Sequence, residues 1–196
     1  MSRSTPRKKS AKSERSRRRG IAIFAVIIVT VLLVGAYVAS QPPGQTAGPG
    51  PGTIAPDFTL PVVNTAGLSD QVVTLSSLRG KVVVLEFMVS VCHVCQEMSS
   101  SVEYLYEEYN ARGVVFLSVA GAFSGATANS TAEFIKQYRV SWTHVLDTDS
   151  SVFASYKINA TPTYLVLDAS GKVTARFQGM TVTDAFANAI DQASSS

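Results

Sequence analysis

Between Lys81 and Val89 the chain carries the run VVVLEFMV, in which Glu86 is the one polar residue. An extended segment turns alternate side chains to opposite faces, and here both faces are apolar and rich in β-branched residues. A strand of that kind is stable in the middle of a sheet that is covered on both sides. The run therefore points to an α/β layered domain.

The flanking pattern agrees. Phe58 to Val63 and Val72 to Leu75 are expected to be short strands around a turn at residues 64–70, paired as a hairpin. A helix is expected from about His93 to Ala111, followed by a second buried strand over Val114 to Val119 and a small-residue loop from Gly121 to Ser130. Thr131 is the expected N-cap of a helix running through Tyr138, with Phe134, Ile135 and Tyr138 on its apolar side. Val145 and Leu146 suggest a short strand, and Ser150 to Tyr156 a short helix. Thr163 to Leu167 and Val173 to Phe177 flank Asp168-Ala169-Ser170-Gly171, a strong hairpin signal, and Thr181 or Thr183 is expected to cap a last amphipathic helix ending near Ala193.

The N-terminal segments have a different character. Residues 1–20 hold nine Lys/Arg against one Glu with no apolar periodicity, and are expected to be a disordered cytoplasmic tail. Residues 21–39 are uncharged and, as a helix rising about 1.5 Å per residue, would span roughly 28 Å, the thickness of a bilayer core. With the basic flank on the N-terminal side, a transmembrane anchor here predicts a cytoplasmic N-terminus and an exported domain. A cleavable signal peptide is the competing reading, because Val38, Ala39 and Ser40 offer small residues to a peptidase. Residues 40–53 are dominated by Pro and Gly and read as an extended spacer, which leaves residues 54–193 as the folded domain. The tail contributes +8 to an overall charge of +3, so the remainder is acidic. Nucleic acid is therefore not an expected partner, whereas membrane lipid is.

The chain has two cysteines, Cys92 and Cys95, three residues apart directly after the apolar strand and at the expected start of a helix. Two cysteines cannot replace a missing core as a disulfide scaffold does, so their spacing carries the information. On a helix, Cys92 falls at the exposed first turn and Cys95 one turn on, close enough for a Cys92–Cys95 disulfide. The unpaired N–H groups of the helix start favour a Cys92 thiolate, while Cys95, farther in, is expected to remain a thiol until it resolves a mixed disulfide. Neither a metal nor a cofactor is expected.

Cys92-His93-Val94-Cys95 on a strand-to-helix turn, with Thr161-Pro162 before a strand some seventy residues later, resembles the thioredoxin superfamily. Ala55-Pro56-Asp57-Phe58-Thr59-Leu60, Leu75-Ser76-Ser77-Leu78-Arg79-Gly80-Lys81 and Ala160-Thr161-Pro162-Thr163-Tyr164-Leu165-Val166-Leu167-Asp168 are similar to its TlpA-like branch of anchored extracytoplasmic thiol-disulfide oxidoreductases. The resemblance implies a thioredoxin-like three-layer sandwich with a central mixed sheet. It implies a cis bond before Pro162, placed with Thr161 against the cysteines so that a partner peptide docks in strand-like fashion. It also implies a buried acid beneath the resolving cysteine, a place that Glu86 matches. Such a carboxyl should have a raised pKa and accept the Cys95 proton, unless Glu86 turns to water at a strand end. Expected partners are exported proteins with thiols or disulfides and a redox protein that recycles the dithiol, with the direction leaning to reduction.

Three positions depart from the pattern. Val91 stands where the family usually has Trp, and His93 with Val94 replaces the usual Pro-containing pair, so His93 and Val94 are expected to alter how the partner is met. Two readings of His93 stand: a protonated imidazole favouring the Cys92 thiolate, or a solvated helix residue. Two rival functions share the fold class. A peroxiredoxin-like peroxidase needs a Pro and a Thr or Ser where this chain has Leu85 and Val89. A copper-handling protein would add His144 to the two thiolates, although such proteins space their cysteines by three residues.

Overall fold

The computed structural model describes residues 48–181 and 183–195, together with Thr30. The expected tail and anchor at residues 1–39 lie outside the described residues apart from Thr30, and among the described residues no helix is long and apolar enough to cross a membrane.

Among the described residues from Gly48 on, seven strands and four helices follow one another as β1 (Thr59–Asn64), β2 (Gly67–Thr74), β3 (Val83–Met88), α1 (His93–Asn110), β4 (Val115–Gly121), α2 (Ala128–Tyr138), β5 (Thr143–Asp147), α3 (Ser151–Ser155), β6 (Thr163–Leu167), β7 (Val173–Gln178) and α4 (Thr183–Ser194), with a 3-10 turn at Leu75–Leu78. The strands form one mixed sheet in the order β2-β1-β5-β4-β3-β6-β7. The apolar run is its inner strand β3, buried at every position, parallel to β4 and antiparallel to β6. Its two faces feed two cores. Val84 and Met88 pack with Cys95, Val102 and Leu105 of α1, Phe134 of α2 and Ile190 of α4. Leu85 and Phe87 pack with Val152 and Phe153 of α3 and with Phe58 and Leu75. Phe87 lies edge-on to Phe153 at 5.3 Å between ring centroids. Each such side chain taken from water contributes about 1.5–3 kcal/mol, so a strand sheltered on both faces is the natural centre of the fold.

The units β3-α1-β4 and β4-α2-β5 step the same way across the sheet, so right-handed crossovers put α1 and α2 on one face. This leaves the start of α1 directly beyond the C-terminal end of β3.

Both predicted hairpins are present, but the first turns earlier than expected. Asn64 Oδ1 accepts the Ala66 N–H at 2.8 Å and Gly67 takes φ 113, which closes the turn at once and brings residues 67–70 into β2. In the second, Asp168 Oδ1 accepts the N–H groups of Ser170 and Lys172 at 2.9 and 3.0 Å. The expected cap at Thr131 is also corrected. Thr127 caps α2, its side chain accepting the Ser130 N–H at 3.1 Å while Ser130 Oγ accepts the Thr127 N–H at 2.8 Å. That reciprocal box starts the helix at Ala128, and Thr131 is buried inside it. The last helix starts at Thr183, and the Thr181 hydroxyl donates back to the Gly179 carbonyl at 3.4 Å.

The spacer is not loose to its end. Gly52 N donates to Val173 O at 2.8 Å and Arg176 Nη1 donates to Pro49 O at 3.2 Å. A Cβ on Gly48 would stand 1.7 Å from the Tyr156 carbonyl oxygen, so this close approach requires glycine. The described end of the spacer, from Gly48 on, thus already packs on the domain.

Thr127→Ala is expected to lower the unfolding free energy by about 1 kcal/mol in urea titration, and Thr127→Ser to retain it. An unchanged midpoint for Thr127→Ala would show that the box contributes nothing.

Candidate active site

Cys92 is the N-cap of α1, with extended backbone angles, and its side chain sits where a capping oxygen normally would. Its Sγ accepts the Cys95 N–H at 3.2 Å and lies 3.4 Å from the Thr161 carbonyl oxygen. Both cysteines are free thiols, Cys92 half-buried and Cys95 buried. A sulfur at the open end of a helix faces the unpaired N–H groups and the positive end of the dipole, an environment suited to negative charge. The Thr161–Pro162 bond is cis, and the Thr161 carbonyl lies against Cys92.

Cys95 points into the core beneath Cys92. Burial first, then the hydrogen bond with Cys92 and the negative charge of Glu86, push its thiol well above the ordinary range. Glu86 is itself buried in β3, not turned to water. Burial raises its carboxyl from 4.5 to about 7, against the opposing pull of a hydrogen bond from Ser118. A carboxyl balanced near neutrality, whose charge acts on a thiol that needs help to ionise, is suited to exchange a proton with it.

Glu86 does not stand alone. Directly opposite it are Ser118 on β4 and Tyr164 on β6, and opposite Ser118 is His144 on β5. The four polar side chains form one row across four neighbouring strands. Ser118 Oγ donates to Glu86 Oε2, and Trp142 Nε1 donates to Ser118 Oγ at 2.6 Å. Tyr164 Oη is buried close to the carboxyl but short of hydrogen-bonding geometry. His144 Nδ1 bonds the Trp142 carbonyl at 3.1 Å, its ring stacks on Trp142 at 5.4 Å, and burial lowers its pKa from 6.5 to about 4.

The structure thus brings together Cys92, Cys95, Glu86, Thr161 and Pro162. His93 is turned out to solvent and pairs with Glu97, Nε2 to Oε1 at 3.1 Å, which favours its reading as a solvated helix residue. Val94 is half-buried, and Val91 is 50% exposed next to Cys92. His144 belongs to the polar row, and among the described residues no three of His, Cys, Asp and Glu converge as a metal site requires. Ser118, Trp142 and Tyr164 were not among the sequence-predicted site residues. The available signal was a lone serine in the apolar strand Val114 to Val119, but without strand register nothing linked it to Glu86.

A model of the Redoxin family matches residues 51–192. The thiol-disulfide oxidoreductase ResA of Oceanobacillus iheyensis is 27% identical over 176 residues, 90% of each chain. That of Bacillus subtilis is 26% identical over 159 residues, 81% of this chain and 84% of the relative. Among solved structures, a putative thiol:disulfide interchange protein DsbE from Chlorobium tepidum is 28% identical with a TM-score of 0.64, covering 74% of this chain and 99% of the other. MTB dsbF in its mixed oxidized and reduced forms is 26% identical with a TM-score of 0.60, covering 70% and 95%.

Glu86 and His144 oppose each other in stability. Between pH 4.5 and about 7 the folded chain holds a proton on Glu86 that the unfolded chain has released, so folding is penalised increasingly as pH rises through that window. His144 acts the other way: its contribution is complete above pH 6.5 and is lost as pH falls towards about 4. The two slopes offset each other between pH 4.5 and 6.5. Glu86→Gln is expected to be more stable than the parent by about 3 kcal/mol above pH 7, and to lose more stability than the parent as pH falls from 6.5 to 4.5. Urea titrations across that range measure this, and equal stability of the two proteins at pH 8 would refute the buried-carboxylate penalty.

Proposed function

The chain belongs to the Redoxin family and is a thiol-disulfide oxidoreductase, and on that premise we propose that Cys92 and Cys95 are its redox pair, acting as a reductase of protein disulfides outside the cytoplasm. The observation that carries the reading is the polarity of the pair: a sulfur at the helix N-terminus within reach of solvent, and a buried thiol beside a carboxyl raised to about 7.

In the forward direction the Cys92 thiolate attacks one sulfur of a substrate disulfide. A mixed disulfide to Cys92 forms and the first substrate thiolate leaves. Cys95 then gives its proton to the Glu86 carboxylate and attacks Cys92 Sγ, forming the Cys92–Cys95 disulfide and releasing the second substrate thiolate. Two electrons pass from the dithiol to the substrate, and a separate redox partner must return them. Pro162 has no N–H to offer, so the Thr161 backbone is left to pair with an extended substrate segment. Val91 supplies an apolar rim in place of the expected Trp, with His93 and Val94 completing the partner-facing surface.

Residues 21–39 are read as a single-pass anchor with residues 1–20 in the cytoplasm. The support is the uncharged length of that segment and its basic N-terminal flank.

Cys92→Ser is expected to abolish reduction of insulin disulfides, and Cys95→Ser to accumulate a covalent adduct with substrate through Cys92. Full activity in both variants would sink the assignment. The direction is read from the reduction potential of the couple: a value near the thioredoxin range of about −270 mV is expected, and one near about −120 mV would make the protein an oxidant instead.

A further inference from the structure

We propose that Ser118 and Trp142 are positioning residues for the resolution step: the Trp142 indole N–H orients the Ser118 hydroxyl so that its proton is committed to Glu86 Oε2, leaving Oε1 as the oxygen that takes the proton from Cys95. The inference rests on the reading of Glu86 as proton acceptor given above.

Its basis is the asymmetry of donors. An indole nitrogen can only donate, so the 2.6 Å contact from Trp142 Nε1 occupies a lone pair of Ser118 Oγ. Ser118 is fully buried, and the acceptor at hand for its single proton is Glu86 Oε2. Were the carboxylic proton on Oε2, two donors would point at each other's oxygen or the Ser118 O–H would be stranded in the core. Oε2 therefore stays an acceptor whether Glu86 is ionised or neutral. The exchangeable proton belongs on the other oxygen.

The donor chain is anchored at its far end. Trp142 is buried, stacked against His144 at 27° between planes, and its carbonyl accepts from His144 Nδ1. A carbonyl cannot donate, so Nδ1 carries the proton of the neutral imidazole. Tyr106 closes on the indole at 6.1 Å between centroids. The pairing Glu86↔Ser118↔His144 is a property of sheet register, and the directions of the Trp142–Ser118 and His144–Trp142 bonds follow from donor type.

In the step itself, the Cys95 S–H bond breaks and an Oε1–H bond forms. The electron pair left on sulfur displaces the substrate thiolate from Cys92, so the substrate is reduced as the dithiol is oxidised. Ser118 does not exchange a proton; it stabilises the carboxylate form by donating to it throughout.

The test follows resolution directly. Rapid mixing of the reduced protein with an aromatic disulfide reagent forms the mixed disulfide on Cys92, and release of the second aromatic thiolate reports the Cys95 step as a function of pH. Ser118→Ala removes the donor that favours ionised Glu86, so the midpoint of the rising limb is expected to move up by about one pH unit. Trp142→Phe is expected to move it the same way by less, and Ser118→Thr, which keeps the hydroxyl, to restore it. In the oxidised protein the carboxylic C=O stretch of neutral Glu86, identified by its absence in Glu86→Gln, should rise in wavenumber in Ser118→Ala because Oε2 loses its donor. A midpoint unmoved or lowered in Ser118→Ala, with the limb still absent in Glu86→Gln, overturns this inference and leaves the reading of Glu86 intact. A limb that persists in Glu86→Gln overturns that reading itself.

Discussion

The burial of one carboxyl in the middle of β3 governs much else in this molecule. Placing Glu86 on an inner strand removes it from water, and an ionised carboxylate there costs several kcal/mol unless hydrogen bonds replace its hydration. The sheet answers with Ser118 and His144 at the same level on the neighbouring strands and with Trp142 just before β5. Ser118 donates to it, Trp142 holds Ser118, and His144 holds Trp142. The compensation is partial, which is why the group stays near neutrality at about 7 instead of returning to the ordinary carboxyl range. A fully satisfied carboxylate would be a poor proton acceptor, and an unsatisfied one would remain protonated.

The same strand fixes the other half of the site. Because β3 runs parallel to β4 and is followed by a crossover helix, the N-terminus of α1 must open beyond the C-terminal edge of the sheet, where open α/β folds place their chemistry. Cys92 occupies that helix end and Cys95 the first inward turn. The entry to β6, antiparallel on the other side of β3, delivers Thr161 and Pro162 to the same edge. One strand, through its two pairings and its following helix, thus gathers Cys92, Cys95, Glu86 and the Thr161–Pro162 segment that the proposed function assigns as nucleophile, resolver, proton acceptor and docking segment.

The sequence made much of this legible. The run from Lys81 to Val89 marked a doubly covered strand, the Cys92–Cys95 spacing marked the helix start, and Asp168 to Gly171 marked a hairpin, because each is a local signal. The errors share a physical origin. Thr131 and Thr127 are both competent caps on local grounds, and the choice turned on whether Ser130 could complete the box. Residues 64–70 look polar enough for a long turn, yet the Asn64 side chain and Gly67 close it in two residues. Ser118, Trp142 and Tyr164 went unseen for a different reason. Their link to Glu86 exists only across strands, and pairing register cannot be read from periodicity in one segment.

Charge accounting within the row shows why this arrangement suits thiol exchange. His144, held to about 4, is neutral at any pH where Glu86 titrates, so the row carries no charge below about pH 7 and one negative charge above it. Adding a Cys95 thiolate beside an ionised Glu86 would put two negative charges in a low-dielectric core, and the thiol resists it. In the proposed mechanism, transfer of the Cys95 proton to Glu86 avoids that state, because the negative charge would move from oxygen to sulfur and the buried total would stay at one. The proposed attack on Cys92 would then carry that charge outward to the departing substrate thiolate, and the core would return to neutrality in the same event that closes the disulfide.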